Sequence, residues 1–276
     1  MKGYAYYNGQ VGQCDDIKIP LSDRIIFFGD GVYDVMIGHG GKLFLPEEHI
    51  KRLLSNMEYL HINIPWTKAQ LYELIHQLID LSGYESYMVY ISASRDQNER
   101  IHSYRSSQAT NLLILINSFE LSNRDGLSLI TEEDRRYYFC NIKTVNLLPS
   151  VIASTNADLS GCDEAVFHRK NTVTECAHSN IFIVKDERLI THPKSELILP
   201  GITRDLFIDV ARKHHITVNE RPFTIDELLS ADDVLITSTT KLIKSVDFIN
   251  GIPIKKKCND IVSALKKDAY NTYHQI

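Results

Sequence analysis

Apolar residues are spaced along this chain in two alternating rhythms. In "PEEHIKRLLSNMEYLHI", Ile50, Leu53, Leu54, Met57 and Leu60 recur at three- and four-residue intervals, which predicts a helix with one buried stripe and Pro46 in its first turn. "TKAQLYELIHQLIDL" repeats the pattern with Leu71, Leu74, Ile75 and Leu78, and Thr67 and Gln70 stand at the spacing of a capping box. Short apolar runs without that spacing, "YMVYISAS" at 87–94 and "NLLILIN" at 111–117, predict strands. The polar stretch "RDQNERIHSYRSSQAT" between them is a long loop, of a length usually reserved for function or disorder.

The pattern breaks at "SFELSNRDG" and then resumes. "EAVFHR", "NIFIVKD", "ERLITHP" and "DVLITSTT" predict strands, with "KNTVTECAHS" as the connection between the first two. "GITRDLFIDVARKHH" and "NDIVSALKKDAYNTYH" predict helices. No repeat or low-complexity tract interrupts the series. The expectation is a mixed α/β chain of two domains: residues 1–118, a linker at 119–122, and a larger domain over 123–276.

Composition narrows this picture mainly by exclusion. At 276 residues the chain is long enough to bury roughly three-quarters of its unfolded surface. The net charge of −5 is well mixed, and the one basic run, "IKKKC", is short, so nucleic acid is not an expected partner. Five widely spaced cysteines without a C-x-x-C pair predict neither a disulfide framework nor a zinc site, and none of the eleven histidines forms an H-E-x-x-H motif. The longest apolar run, "LLILI", is too short for a membrane, and "MKGYAYYNGQ" lacks the apolar core of a signal peptide. A reducing, cytoplasmic setting and no metal are expected.

Several residues stand out chemically. Lys143, in "FCNIKTVNLLPS", follows Ile142 and precedes Val145, Leu147 and Leu148. Either it snorkels from a strand end or it is an amine held in a partly apolar pocket. "LPGITRD" offers a glycine, backbone amides and the Thr203 hydroxyl at a helix start, which suits an anion or an ordinary cap. "TSTT" ends a strand in four hydroxyls. Glu175 sits among Thr, Asn, Cys and Ser with no charge partner nearby, as a turn residue or as a carboxylate facing a cationic ring. Arg100 and His102 point the same way if their segment is extended, and Arg52 lies at the edge of an apolar helical stripe. No Walker loop, G-x-G-x-x-G or G-x-S-x-G sequence is present.

Taken together, "DRIIFFGDGVYDV", "EEHIKRL", "NERIH", "NIKTVNLL", "HRKNTVTECAHSNIF", "LPGITRD" and "VLITSTT" occur in the order seen in fold-type IV pyridoxal-phosphate enzymes, the class IV aminotransferases. The chain resembles most the D-amino acid branch of that family, over nearly its whole length. The resemblance implies a two-domain fold with the active site between the domains, and pyridoxal 5′-phosphate as cofactor. It implies that Lys143 is the Schiff-base lysine, that Glu175 pairs with the pyridine nitrogen, and that Leu199 packs on the ring. Arg52, Ile202, Thr203, Ser238 and Thr239 correspond to the phosphate cup. Tyr33, Arg100 and His102 correspond to a trap for the substrate carboxylate, the last two supplied by the other subunit of a homodimer.

The implied reaction is ping-pong transamination of D-alanine and 2-oxoglutarate to pyruvate and D-glutamate through a Lys143 internal aldimine. Aminodeoxychorismate lyase is the alternative, with a branched-chain aminotransferase further off, since the trap and the run after Glu175 differ from that type. A member of the fold that binds cofactor without catalysis is a third class, which an intact Lys143 and Glu175 oppose. The chain departs from the family pattern at Cys176, Ala177 and His178, where small Gly and Ser residues are usual. It also carries Pro149 shortly after the lysine.

Overall fold

The computed structural model describes residues 3–95, 100–104 and 109–275. The rest of the long polar loop predicted between residues 95 and 110 lies outside the described residues. The chain divides into two compact units. The first comprises residues 1–120 together with Ile142–Asn146, and the second comprises Leu121–Asn141 and Leu147–Gln275.

The first unit contains β1 (Tyr4–Tyr7), β2 (Gln10–Gln13), α1 (Arg24–Phe28), β3 (Gly31–His39), β4 (Lys42–Leu43), α2 (Pro46–Tyr59), α3 (Lys68–Ser82), β5 (Ser86–Arg95) and β6 (Thr110–Ser118). Six strands form one antiparallel sheet in the order β2-β1-β6-β5-β3-β4. The apolar stripe read from α2 and α3 is the one that packs. Ile50, Leu53 and Met57 of α2 and Leu71, Ile75 and Leu78 of α3 are buried against Val89, Ile91, Leu112, Ile114 and Ile116 of the sheet. Pro46 opens α2, where its missing N–H costs nothing. Thr67 and Gln70 form the reciprocal capping box at the start of α3.

The second unit contains β7 (Leu127–Glu133), α4 (Leu148–Leu159), β8 (Glu164–Arg169), β9 (Thr172–Cys176), β10 (Asn180–Lys185), β11 (Arg188–Thr191), α5 (Ile202–Lys213), β12 (Val218–Glu220), β13 (Phe223–Thr224), α6 (Ile225–Leu229), β14 (Asp233–Ser238), β15 (Leu242–Ile249), β16 (Ile252–Pro253) and α7 (Asn259–His274). Its strands run β12-β11-β10-β14-β15-β7-β8-β9-β13, with β16 beside β15. The pairing is mixed: β7 lies parallel to both β15 and β8, while β10, β14 and β15 are antiparallel.

Successive side chains of a strand face opposite sides. In β10, Ile181 and Ile183 enter one core with Val166, Val234 and Ile236, whereas Phe182 and Val184 enter another with Phe207 and Ile208 of α5 and Val262 and Leu265 of α7. Both faces of β10 and β14 are therefore covered, which explains why these strands read as unbroken apolar runs. No helix among the described residues is long and apolar enough to cross a membrane.

Three details differ from the sequence reading. "KNTVTECAHS" is not merely a connection: Thr172–Cys176 is a strand paired antiparallel with β8, so Glu175 sits in a sheet rather than a turn. Lys143 belongs to the first unit and not to the larger C-terminal domain assigned to it, because its segment is stitched to β3. Tyr33 N donates to Lys143 O at 2.9 Å, Val145 N donates to Gly31 O at 3.2 Å, and Val32 bridges to Thr144. Finally, the apolar neighbours of Lys143 in sequence are unevenly buried, since Ile142 is enclosed but Leu147 and Leu148 are exposed.

The double coverage of β10 has a measurable consequence. Phe182→Ala is expected to cost about 3–5 kcal/mol and Ile183→Ala about 2–5 kcal/mol in denaturant unfolding. A loss at only one of these adjacent positions would mean that one face of the strand is wet.

Candidate active site

In the first unit, the backbone ties just described hold Lys143 against β3. Its Nζ lies 3.4 Å from the Tyr33 hydroxyl and 4.4 Å from the centre of the Tyr33 ring. Tyr33 is itself stacked on Tyr90 of the neighbouring strand, with centroids 5.4 Å apart. The lysine side chain is half-buried, its amine poised beside an aromatic hydroxyl.

Arg52 projects from α2 and is gripped by the next residue of β3. Its Nε and Nη2 each donate to Asp34 at 2.8 Å, a bidentate pair. His49, one helical turn away, shares the same carboxylate through Nδ1 at 2.8 Å. Asp34 and His49 are wholly buried. Burial works to raise the Asp34 carboxyl, but the Arg52 guanidinium and the His49 ring outweigh it and hold Asp34 well below the usual carboxylate range. Burial pushes His49 down, against the pull of Asp34. From the edge of its apolar stripe the Arg52 guanidinium turns inward, because a buried anion meets it there.

Arg100 and His102 are exposed, and both approach Phe28 of α1. The Arg100 guanidinium is 5.7 Å from that ring and the His102 ring is 5.3 Å from it. The two side chains thus meet the same ring, although their segment bends and is not a strand. Their described ring contacts are with α1.

In the second unit, Glu175 is the centre. Arg136 Nη1 donates to its Oε1 at 2.6 Å, Asn180 Nδ2 to its Oε2 at 3.0 Å, and the Leu199 N–H to both oxygens at 3.1 Å. Burial is the largest influence on this carboxyl and pushes it up to about 7, with Arg136 and the Leu199 N–H pulling the other way. Each oxygen thus accepts two contacts, with the Leu199 N–H shared between them, so the carboxylate is held in one orientation.

Asn180 connects this carboxylate to its surroundings. Its Nδ2 also donates to Leu199 O at 2.9 Å, and its backbone pairs with Thr237 of β14. Its Oδ1 lies only 2.1 Å from where a Cβ on Gly201 would stand, so glycine is required at this N-cap of α5. Gly201 supplies no side-chain cap to the helix start. Thr203 on the first turn of α5, and Thr237 and Ser238 at the end of β14, keep buried hydroxyl oxygens with no hydrogen-bond partner. Ile202 precedes Thr203 at the same helix start, and Thr239 follows Ser238. Uncapped N–H groups beside unpaired hydroxyls form a site suited to an anion such as phosphate.

The sequence reading missed the groups behind these residues. Arg136 is fixed by Asp134, which accepts from its Nε and Nη2 at 3.0 Å and also from Arg169 Nε at 3.2 Å. The guanidinium also lies 4.5 Å from the Phe167 ring. A mixed charge run, "EEDRR", masked this arrangement as solvated surface. Glu164, wholly buried on β8, accepts from His178 N and Ser179 Oγ and pairs with Lys241, binding the turn after Glu175 to the turn after Ser238. The departing residue His178 is exposed on one side, its Nε2 3.1 Å from Ser154 Oγ.

Comparison with known proteins adds an independent view. Residues 31–249 match the family model for amino-transferase class IV. A D-alanine aminotransferase of Listeria monocytogenes is 37% identical over 253 residues, covering 90% of this chain and 88% of that protein. Among solved structures, the branched-chain amino acid aminotransferase from Escherichia coli superimposes with a TM-score of 0.90 at 21% identity, covering 99% of this chain and 95% of that one. The branched-chain aminotransferase from the thermophilic archaeon Thermoproteus uzoniensis, solved with norvaline, gives a TM-score of 0.88 at 21% identity, covering 99% of this chain and 96% of that one. At such identities the two structures establish the shared fold, while the family match and the Listeria relative carry the assignment. The chain belongs to the class IV aminotransferase family.

Proposed function

We propose that this protein is a pyridoxal 5′-phosphate enzyme that transaminates D-amino acids, with D-alanine as donor and 2-oxoglutarate as acceptor. The observation that carries the cofactor is the second unit's pairing of an anchored carboxylate with unpaired buried hydroxyls. Glu175 offers a pyridine N–H a buried carboxylate of fixed orientation, and Thr203 and Ser238 have hydroxyls without partners near uncapped helix amides. The preference for D-amino acids is supported by the 37% identity to a protein named D-alanine aminotransferase.

In this reading Glu175 holds the ring nitrogen, Leu199 packs on the ring, and Ile202, Thr203, Ser238 and Thr239, with Arg52, hold the phosphate. When bound, the cofactor supplies a ring that accepts electrons released at the substrate Cα. Lys143 is the amine that carries the cofactor and moves the proton leaving Cα. Its neighbour Tyr33 accepts a hydrogen bond from Nζ at 3.4 Å and steadies the amine. Arg100 and His102 bind the substrate carboxylate, the arginine through its planar fork. Fixing the carboxylate on one side decides which Cα hydrogen meets Lys143, and this is the origin of selectivity for one enantiomer.

We also infer a homodimer in which each subunit supplies Arg100 and His102 to its neighbour. Exposed apolar residues support it: Ile26, Phe27, Ile101 and Tyr104 in the first unit, and Tyr137, Tyr138, Phe139, Leu148, Val151 and Ile152 in the second. Within each unit, such side chains left to water favour coverage by a partner chain. The proposed setting is the cytoplasm.

The deciding experiment is an absorbance spectrum of the holoenzyme during addition of D-alanine, and separately L-alanine, without any oxo acid. D-alanine alone is expected to shift the cofactor band to that of pyridoxamine phosphate. A spectrum that neither enantiomer changes would keep the cofactor and overturn the substrate. Lys143→Ala is expected to lower turnover by several orders of magnitude, and unchanged turnover would remove the lysine from the chemistry.

The phosphate cup is tested by affinity. Thr203→Val and Ser238→Ala each remove a hydrogen bond to a charged group and are expected to weaken cofactor binding about 10- to 100-fold. Equilibrium titration of the apoenzyme with pyridoxal phosphate measures this, and unaltered dissociation constants would exclude these hydroxyls from the cup.

A further inference from the structure

Of the segment "DRIIFFGDGVYDV", the function proposed above uses only Tyr33, yet its other polar residues are among the most constrained in the first unit. Arg24 is 4% exposed despite its charge. Its Nε donates to Asp30 Oδ2 at 2.8 Å, its Nη1 to Ile101 O at 2.6 Å and its Nη2 to His102 O at 3.2 Å. The guanidinium also lies 4.6 Å from the Phe28 ring. Two of its three nitrogens are thus committed to the backbone of the segment that carries Arg100 and His102.

Residues 100–104 belong to no helix or strand, so nothing in regular secondary structure sets their conformation. Ties to the rest of the unit must do so. The Phe28 ring meets both Arg100 and His102. Arg95 lies over Tyr104 at 3.6 Å and anchors itself on Leu60 O, His61 O and Asp30. Asp30 therefore serves both arginines. Asp23 secures the helix beneath, capping Ile25 N at 3.0 Å and accepting from Tyr7 at 2.9 Å and Ser94 at 2.8 Å.

We propose that Arg24, anchored by Asp30, is a positioning residue for amino acid recognition: it fixes the backbone at Ile101 and His102 and so aims Arg100 and His102 at the substrate carboxylate. This rests on the reading of Arg100 and His102 given under the proposed function. A buried ion pair is a weak source of stability, because apolar residues of similar volume often stabilise as well. A planar fork that reaches one carboxylate and two carbonyls at once is a directional device, and a lysine ammonium lacks its geometry.

The test uses the holoenzyme with D-alanine and 2-oxoglutarate, and propionate as an inhibitor that offers a carboxylate without an amine. Arg24→Met is expected to raise KM for D-alanine and the propionate inhibition constant together, by about 10- to 100-fold, the range for hydrogen bonds made by a charged group. The maximal rate and the spectrum of the bound cofactor are expected to stay close to those of the unaltered enzyme, and Arg24→Lys to fall between. Lowered thermal stability with unchanged KM and propionate inhibition would overturn the proposal and leave Arg24 a structural residue. Should Arg24→Met not fold, Asp30→Asn removes the anchor while keeping the arginine, and an unchanged KM there has the same meaning. Arg100→Ala separates the two levels. If it leaves KM unaltered, the reading of the trap fails and this proposal with it; if it raises KM while Arg24→Met does not, only this proposal fails.

Discussion

The second unit is organised around a carboxylate that has been taken out of water. Glu175 lies on a strand with its side chain almost fully enclosed, and an isolated anion in such a position would neutralise or unfold its surroundings. Arg136 answers the charge directly at 2.6 Å, and Asp134 then answers Arg136 while collecting Arg169 and Thr174 as further donors. On the other side Asn180 and the Leu199 N–H complete the shell. Each of these commitments fixes a piece of chain: the turn after β7, the approach to α5, the start of β10. Gly201 has no side chain because Asn180 occupies the space it would need. The start of α5 is therefore held in register with Glu175 by the same Asn180 amide that donates to that carboxylate.

How much of this was legible beforehand depended on how local its cause was. The helices α2 and α3 were readable because their stripe, proline and capping box all lie within one turn of the residues they control. The unbroken apolar runs of β10 and β14 were readable for the opposite reason, since burial on both faces leaves no polar position to confuse the pattern. The strand Thr172–Cys176 was not, because it is short and its alternating Thr and Glu residues dilute the apolar signal of Val173 and Cys176, while the partners that bury Glu175 lie far away in sequence. Lys143, Glu175, Thr203 and Ser238 became candidates by resemblance to a family, and residue physics alone left each with a bland alternative. Arg136, Asp34 and Asp30 escaped altogether. A charge beside other charges reads as solvated surface until a partner distant in sequence, such as Glu175 for Arg136, is brought to it.

Those three omissions share a physical theme. Arg52 is gripped by Asp34, Arg24 and Arg95 by Asp30, and Arg136 by Asp134. In each case an aspartate within β3 or directly beside a strand end restrains a long, flexible cation. An arginine side chain carries about 2 kcal/mol of rotamer entropy, and whatever part is removed during folding need not be removed again on binding. The buried pairs gain little net stability, because desolvation offsets most of their attraction. What they provide is direction.

The unpaired hydroxyls give the complementary half of that argument. A buried donor or acceptor without a partner costs about 1–3 kcal/mol. Thr203, Thr237 and Ser238 each carry such an atom, near a helix start that has no side-chain cap. A folded chain does not gather unsatisfied groups of this kind at one place for its own stability, since replacing them with apolar atoms would remove the penalty. An anion that satisfies them would recover the cost on binding, and the folded state would be stabilised in proportion to how far the ligand exceeds its dissociation constant. Affinity for that anion and instability in its absence are then the same free energy seen from two sides.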